Sequence, residues 1–256
     1  MSQDNNPQPA QPTKRTLFKT VLAAGAAGAA GWFAGKQQGE TAAETRNNEH
    51  SPQAYPCYGT HQAGITAPQQ LFGIMCAFDV TAKDPKQLEN LFRTLTARIE
   101  FLTQGGEYQD GDEKLPPAGS GLLGKTFRPD GLTITVGVGS SLFDNRFGLK
   151  DKKPRHLQEM RDFPNDRLQK SWCDGDLSLQ ICAFTPETCQ AALRDIIKNT
   201  AQTAVIRWSI DGWLPKAEPG AIAARNLLGF RDGSGNPDVS DPKIADQVLW
   251  TGIAAN

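Results

Sequence analysis

Between Leu71 and Val80 the chain alternates, with Phe72, Ile74, Cys76, Phe78 and Val80 set against Gly73, Met75, Ala77 and Asp79. A period of two predicts a β-strand with one buried face. Asp84-Pro85 then offers a capping side chain followed by a proline suited to a first helical position. Behind it Leu88, Leu91, Phe92, Leu95, Ile99 and Leu102 recur at helical spacing, so a helix is predicted to end near Gly105-Gly106. After a Gly- and Pro-rich loop, Leu132, Ile134, Val136 and Val138 alternate with small residues as a second strand. Leu177, Leu179, Ile181 and Ala183 form a third. Thr185-Pro186 repeats the cap-plus-proline signal before a helix bearing Cys189, Ala192, Leu193, Ile196 and Ile197, and Ile206, Trp208 and Ile210 mark a fourth strand. The order is β-α-β, a long insertion, then β-α-β. It predicts an α+β fold, a ferredoxin-like (split β-α-β) antiparallel sheet with its helices on one face. No internal repeat is visible.

The N-terminus follows different rules. Residues 1–13 are polar, Lys14-Arg15 is basic, and Thr20 to Ala34 is an Ala/Gly-rich apolar run of about 15 residues. That layout predicts an export signal over 1–35, because the run is shorter than the ~20 residues a spanning helix needs. Thr13-Lys14-Arg15-Thr16-Leu17-Phe18-Lys19 resembles a twin-arginine signal with Lys in the first Arg position, which implies a periplasmic destination. An ordinary secretory signal or an uncleaved tether is the alternative. Residues 36–54 are polar and read as a linker, leaving 55–256 as the folded domain.

Charge narrows the partners. Lys and Arg total 27 against 28 Asp and Glu, so no basic surplus is available to neutralise a nucleic-acid backbone. The five cysteines, Cys57, Cys76, Cys173, Cys182 and Cys189, form no CxxC pair and no zinc spacing. Cys76, Cys182 and Cys189 lie in apolar segments and are expected in the core.

The densest chemistry lies in Asn226-Leu227-Leu228-Gly229-Phe230-Arg231-Asp232-Gly233-Ser234-Gly235-Asn236-Pro237. Glycines flanking a carboxylate let backbone approach a flat ligand where a side chain would collide. Taken alone, the same string is also a common surface turn, since D-G and N-P are ordinary turn signals. Gly229-Phe230-Arg231-Asp232-Gly233 resembles the G-x-x-D-G signature of dye-decolorizing (Dyp-type) haem peroxidases. The segments Tyr58 to Ile65, Phe101 to Gly106, Ser141 to Leu149 and Phe163 to Asp166 resemble that family's deferrochelatase branch, in the same order.

The resemblance implies that this chain is the first of two ferredoxin-like halves around one haem b per subunit, with hydrogen peroxide as co-substrate. Asp232 would be the catalytic base, taking a proton from one peroxide oxygen and returning it to the other. Backbone at Gly233, Ser234 and Gly235 would line the haem. Carboxylates titrate near pH 4, so an acidic optimum follows. By the same resemblance the partners are haem, small reducing substrates and other components of an iron-uptake system, with a homodimer as the assembled form. In the family the proximal histidine and the distal arginine come from the second half. The chain's three histidines, His50, His61 and His156, match no proximal-ligand segment, so no metal ligand is assigned and Arg231 is not given the distal role. The expectation is therefore an incomplete chain, inactive and poorly stable by itself through its exposed apolar surface. A non-catalytic haem-binding or interaction domain is the alternative.

Overall fold

The computed structural model describes residues 52–112, 114, 116–216, 224–231, 233 and 235–250. By contacts the chain divides into Met1–Glu49 and His50–Asn256, and all described residues belong to the second unit. The predicted export signal and most of the linker lie outside them. Among the described residues no helix is long and apolar enough to cross a membrane.

In chain order the elements are α1 (Ala63–Thr66), β1 (Phe72–Val80), α2 (Pro85–Gln104), β2 (Gly106–Glu107), β3 (Thr126–Phe127), β4 (Thr133–Val138), β5 (Leu177–Ala183), α3 (Pro186–Thr200), β6 (Ala204–Trp213) and α4 (Pro242–Val248). Four strands form one sheet in the order β4-β5-β1-β6, every neighbour antiparallel. This is the predicted ferredoxin-like arrangement, with β5 inserted between β4 and β1. One face carries the core: Ile74, Cys76 and Phe78 of β1 and Leu179 and Ile181 of β5 meet Leu91, Leu95 and Leu102 of α2 and Cys189, Ala192 and Ile196 of α3. Each such Leu or Ile contributes roughly 1.5–3 kcal/mol by leaving water.

Local chemistry sets the helix ends. The Asp84 carboxylate accepts from the Gln87 amide at 2.8 Å, and the Gln87 side chain accepts in return from the Lys83 amide at 3.0 Å. Gly105 closes α2 with φ +76°, and a Cβ there would strike the Pro129 ring and the Phe127 carbonyl. Thr185 differs from expectation. It occupies the cap position of α3 but makes no side-chain capping bond. Its hydroxyl instead donates at 2.7 Å to Asp130, whose fully buried carboxylate is the stronger acceptor and also takes the Thr185 amide at 2.9 Å.

The fourth strand departs from simple alternation. Ala77 pairs with Trp208 but Phe78 pairs with Ile206, so Arg207 is the extra residue of a bulge. Ile206 therefore shares the core side with Phe78, while Trp208 and Ile210 lie opposite with Ala77 and Met75. The displaced Arg207 reaches Asp79 at 3.1 Å and the carbonyls of Cys173 and Lys170 at 2.8 and 3.2 Å. The sheet's second face, by register, carries Gly73, Met75 and Ala77, Thr133, Thr135 and Gly137, and Ser178, Gln180 and Cys182. Cys182 thus sits half-buried on this face and is not a core residue, unlike Cys76 and Cys189, whose thiols burial pushes up to about 12.

Candidate functional site

The glycine-bearing segment is a tight closed turn organised by Asn226. Arg225 and Arg231 form an antiparallel bridge. Within it the Asn226 amide donates to the Phe230 carbonyl at 2.8 Å, and Gly229 N–H donates to the Asn226 carbonyl at 2.9 Å. The Asn226 side-chain oxygen accepts from the amides of Leu228 and Phe230 at 3.0 and 3.1 Å, and Arg225 Nη1 donates to the Gly229 carbonyl at 3.0 Å. Asn suits this position because its short amide can satisfy backbone donors that no strand or helix engages. Gly229, at φ +85°, supplies the left-handed residue that reverses the chain.

With the backbone turned inward on Asn226, Leu227, Leu228 and Phe230 are 77%, 82% and 69% exposed. Three neighbouring large apolar side chains in water mark a surface made to be covered. A Cβ added at Gly229, Gly233 or Gly235 would meet nothing within 4 Å. Gly233 has φ +87°, and its carbonyl accepts from the Asn236 amide at 3.1 Å. Side-chain-free backbone beside exposed apolar groups fits one face of a flat macrocycle such as haem. Asp232 and Ser234 lie outside the described residues.

Of the histidines, His61 is stacked on Trp250 with ring centroids 3.6 Å apart and planes 6° from parallel. His156 is exposed in the loop after β4, and His50 lies outside the described residues. Among the described residues no three His, Cys, Asp or Glu side chains are grouped to hold a metal ion.

The Ser141 to Leu149 segment has a structural role that its residue types did not reveal. Arg146 Nη2 and Nη1 fork onto the Asp176 carboxylate at 2.8 and 3.0 Å, and the same guanidinium reaches Asp144 at 2.6 Å and the Val80 carbonyl at 3.1 Å. Asp176 also accepts from the Ser141 hydroxyl at 2.7 Å and the Val80 amide at 2.9 Å. This ties the loop after β4 to the ends of β1 and β5. A cleft of about 550 Å³ borders the network, but its Arg146 and Arg207 guanidinia are already engaged by Asp176 and Asp79, which leaves them poorly placed to hold a charged ligand.

Burial by itself would push the Asp176 carboxyl up, but bonds from Arg146, Ser141 and the Val80 amide outweigh it and hold its pKa below the usual range. A folded-state pKa below the unfolded one means the stabilisation is fully present above about pH 4 and is lost as pH falls through the lowered folded value. Wild-type chain is therefore expected to exceed Asp176→Asn in urea midpoint by a constant margin at neutral and mildly acidic pH, the gap shrinking only below about pH 4. A gap already closing at pH ~6 would place the linkage on another group.

Proteins of similar sequence and fold are known. The family described as Dyp-type peroxidase, N-terminal, matches residues 62–214. Deferrochelatase of Escherichia coli strain K12 is 45% identical over 244 residues, covering 94% of this chain and 57% of the relative. A DyP-type peroxidase from Cellulomonas bogoriensis aligns at TM-score 0.67 and 34% identity, over 79% of this chain and 54% of that one. Ferric DtpA from Streptomyces lividans aligns at TM-score 0.64 and 30% identity, over 76% and 51%. The chain spans little more than half the length of each of these relatives.

Proposed function

This chain belongs to the Dyp-type peroxidase family, and on that premise we propose that it forms the distal side of a haem b peroxidase of the deferrochelatase kind, which uses hydrogen peroxide to oxidise small reductants. The observation that carries the reading is the Asn226-centred turn, which exposes Leu227, Leu228 and Phe230 beside glycines with open space at their Cβ positions. When bound, haem supplies the redox chemistry that peroxide reduction requires. Asp232 is assigned as the base that moves a proton between the two peroxide oxygens, and Gly233, Ser234 and Gly235 are assigned as the backbone that would line the haem when it is bound. Leu227, Leu228 and Phe230 exclude water from that surface once it is covered. The N-terminal 1–35 directs export to the periplasm and 36–54 is a polar linker. There the protein serves iron acquisition beside other uptake components, and it assembles as a homodimer.

The proximal ligand is assigned to a second ferredoxin-like half. The test uses this chain completed in frame with the C-terminal portion of the E. coli relative, and the 256-residue chain beside it. Haemin titration of the completed protein is expected to give one histidine-ligated haem per subunit, with peroxide-dependent oxidation of a phenolic reductant fastest at acidic pH. The 256-residue chain is expected to take up haemin weakly and without that spectrum. Stoichiometric haem with no peroxide turnover would favour a non-catalytic haem-binding domain. A His-ligated spectrum in the 256-residue chain that is lost on replacing one of its own histidines would overturn the assignment of the ligand.

A further inference from the structure

The geometry points to His61 as a positioning residue, a clamp that holds the far end of the segment bearing the Asn226 turn. That segment leaves the sheet after β6, where the Leu214 amide still donates to the Leu71 carbonyl at 2.9 Å. Beyond the turn the chain is rebuilt into α4, whose start is capped by the Asp241 carboxylate accepting from the Lys243 amide at 2.8 Å. At its end the amides of Leu249 and Trp250 donate to the Ala245 carbonyl at 2.9 and 3.1 Å, which fixes the Trp250 backbone to the helix. The indole lies flat on the His61 imidazole at 3.6 Å. Among the described residues, the chain is thus tied to the sheet at Leu214, before the turn, and to His61 at Trp250, after it.

His61 can serve as an anchor because its own neighbours are held. The Gln62 side-chain amide imitates a paired strand on the free edge of β4, its Nε2 donating to the Val136 carbonyl at 2.9 Å and its Oε1 accepting from the Val136 amide at 2.7 Å. Two residues on, Gly64 sits so close to β4 that an added Cβ would collide with the Thr135 hydroxyl. Backbone bonds from Ile65 to the Gln62 carbonyl at 3.0 Å and from Ala67 to the Ala63 carbonyl at 2.7 Å close α1 behind them. His61, Gln62 and Gly64 thus form one device. The glutamine and glycine lock the loop to the sheet, and the histidine presents a flat ring to Trp250. Its role is aromatic and planar, with no need of an imidazole nitrogen.

The clamp stands on this geometry alone, and only its effect on turnover rests on Asp232 acting within the segment it holds. The test is amide hydrogen exchange of the full chain, read in peptides covering 225–250, with α2 and α3 peptides as the reference for an intact core. Loss of an aromatic pair such as this face-to-face stack changes local opening by an amount that predicts roughly two- to tenfold faster exchange over 225–250 in His61→Ala, with the reference peptides unchanged. His61→Phe, which keeps a flat ring, is expected to restore wild-type exchange. Trp250→Ala should match His61→Ala, and the double variant should be no faster than either, since both remove one interaction. In the completed, haem-loaded protein His61→Ala should lower kcat with little change in KM, and His61→Phe should recover it. Unchanged exchange in His61→Ala, or exchange in His61→Phe as fast as in His61→Ala, would overturn the clamp while leaving the Asp232 assignment untouched. Full turnover in Asp232→Asn with the clamp intact would do the reverse.

Discussion

Replacing Asp232 by Asn in the completed, haem-loaded protein is expected to lower peroxide turnover by roughly 10²–10⁴-fold, the usual contribution of a well-placed proton-transfer group. Asn keeps the volume and polarity of the side chain but cannot accept the proton as a carboxylate does. Haem content should be nearly unchanged, because the surrounding turn is held by the Asn226 side chain and by Arg225, whose bonds run to Leu228, Phe230 and the Gly229 carbonyl. The two readouts separate a chemical role from a structural one. Loss of turnover at constant haem absorbance, together with loss of the acidic optimum, identifies the base. Turnover that survives the substitution would move that role to another residue, and parallel loss of haem would show that residue 232 serves mainly to hold the cofactor.

The largest expected effect on stability lies far from this turn. Asp195 on α3 is fully buried and accepts a forked pair from Arg98 of α2 at 2.7 and 2.8 Å, the Tyr108 hydroxyl at 2.9 Å and the Asn199 amide at 3.3 Å. One carboxylate thus joins the two helices and Tyr108, the residue just after β2. The Arg98 guanidinium also lies over the Phe101 ring, 4.6 Å from its centroid. Burial, and then the Asp195 charge, push the Tyr108 phenol well above its ordinary range, so it stays a hydrogen-bond donor. Asp195→Ala would leave a mostly buried guanidinium and a buried hydroxyl without their acceptor, and a loss of about 3–5 kcal/mol is expected. Urea unfolding of the purified chain measures it. Replacing both partners together, as Arg98→Met with Asp195→Leu, should recover much of that loss, because no uncompensated charge remains. A loss under about 1 kcal/mol for Asp195→Ala would mean that solvent screens the pair as it does a surface bridge.

The elements of this fold were legible before any coordinates because each leaves a short-range signature. Alternation over Phe72 to Val80, helical spacing from Leu88 to Leu102, a proline behind a capping residue at Asp84 and a left-handed glycine at Gly105 all arise among residues within a few positions of one another. Their order was enough for the ferredoxin-like topology, since the two β-α-β units had one sensible way to share a sheet. The glycine-rich turn was visible as a motif for the same reason.

What the residues did not disclose were choices made between distant segments. Thr185 carries every mark of a helix cap, yet Asp130 arrives from another loop and takes its hydroxyl. Ile206 and Trp208 read as one face of a strand, yet the bulge at Arg207 sends them to opposite sides so that the guanidinium can meet Asp79. The Ser141 to Leu149 segment carried only a family resemblance, and its Arg146 and Ser141 side chains prove to anchor Asp176. No local pattern ties Trp250 to His61, yet the two rings stack. In each case the side chain's chemistry permitted several partners, and chain folding brought one of them within hydrogen-bonding or stacking distance. Local periodicity comes from backbone geometry and so is written residue by residue. The pairing of a donor with one acceptor among many depends on which surfaces the collapsed core brings together.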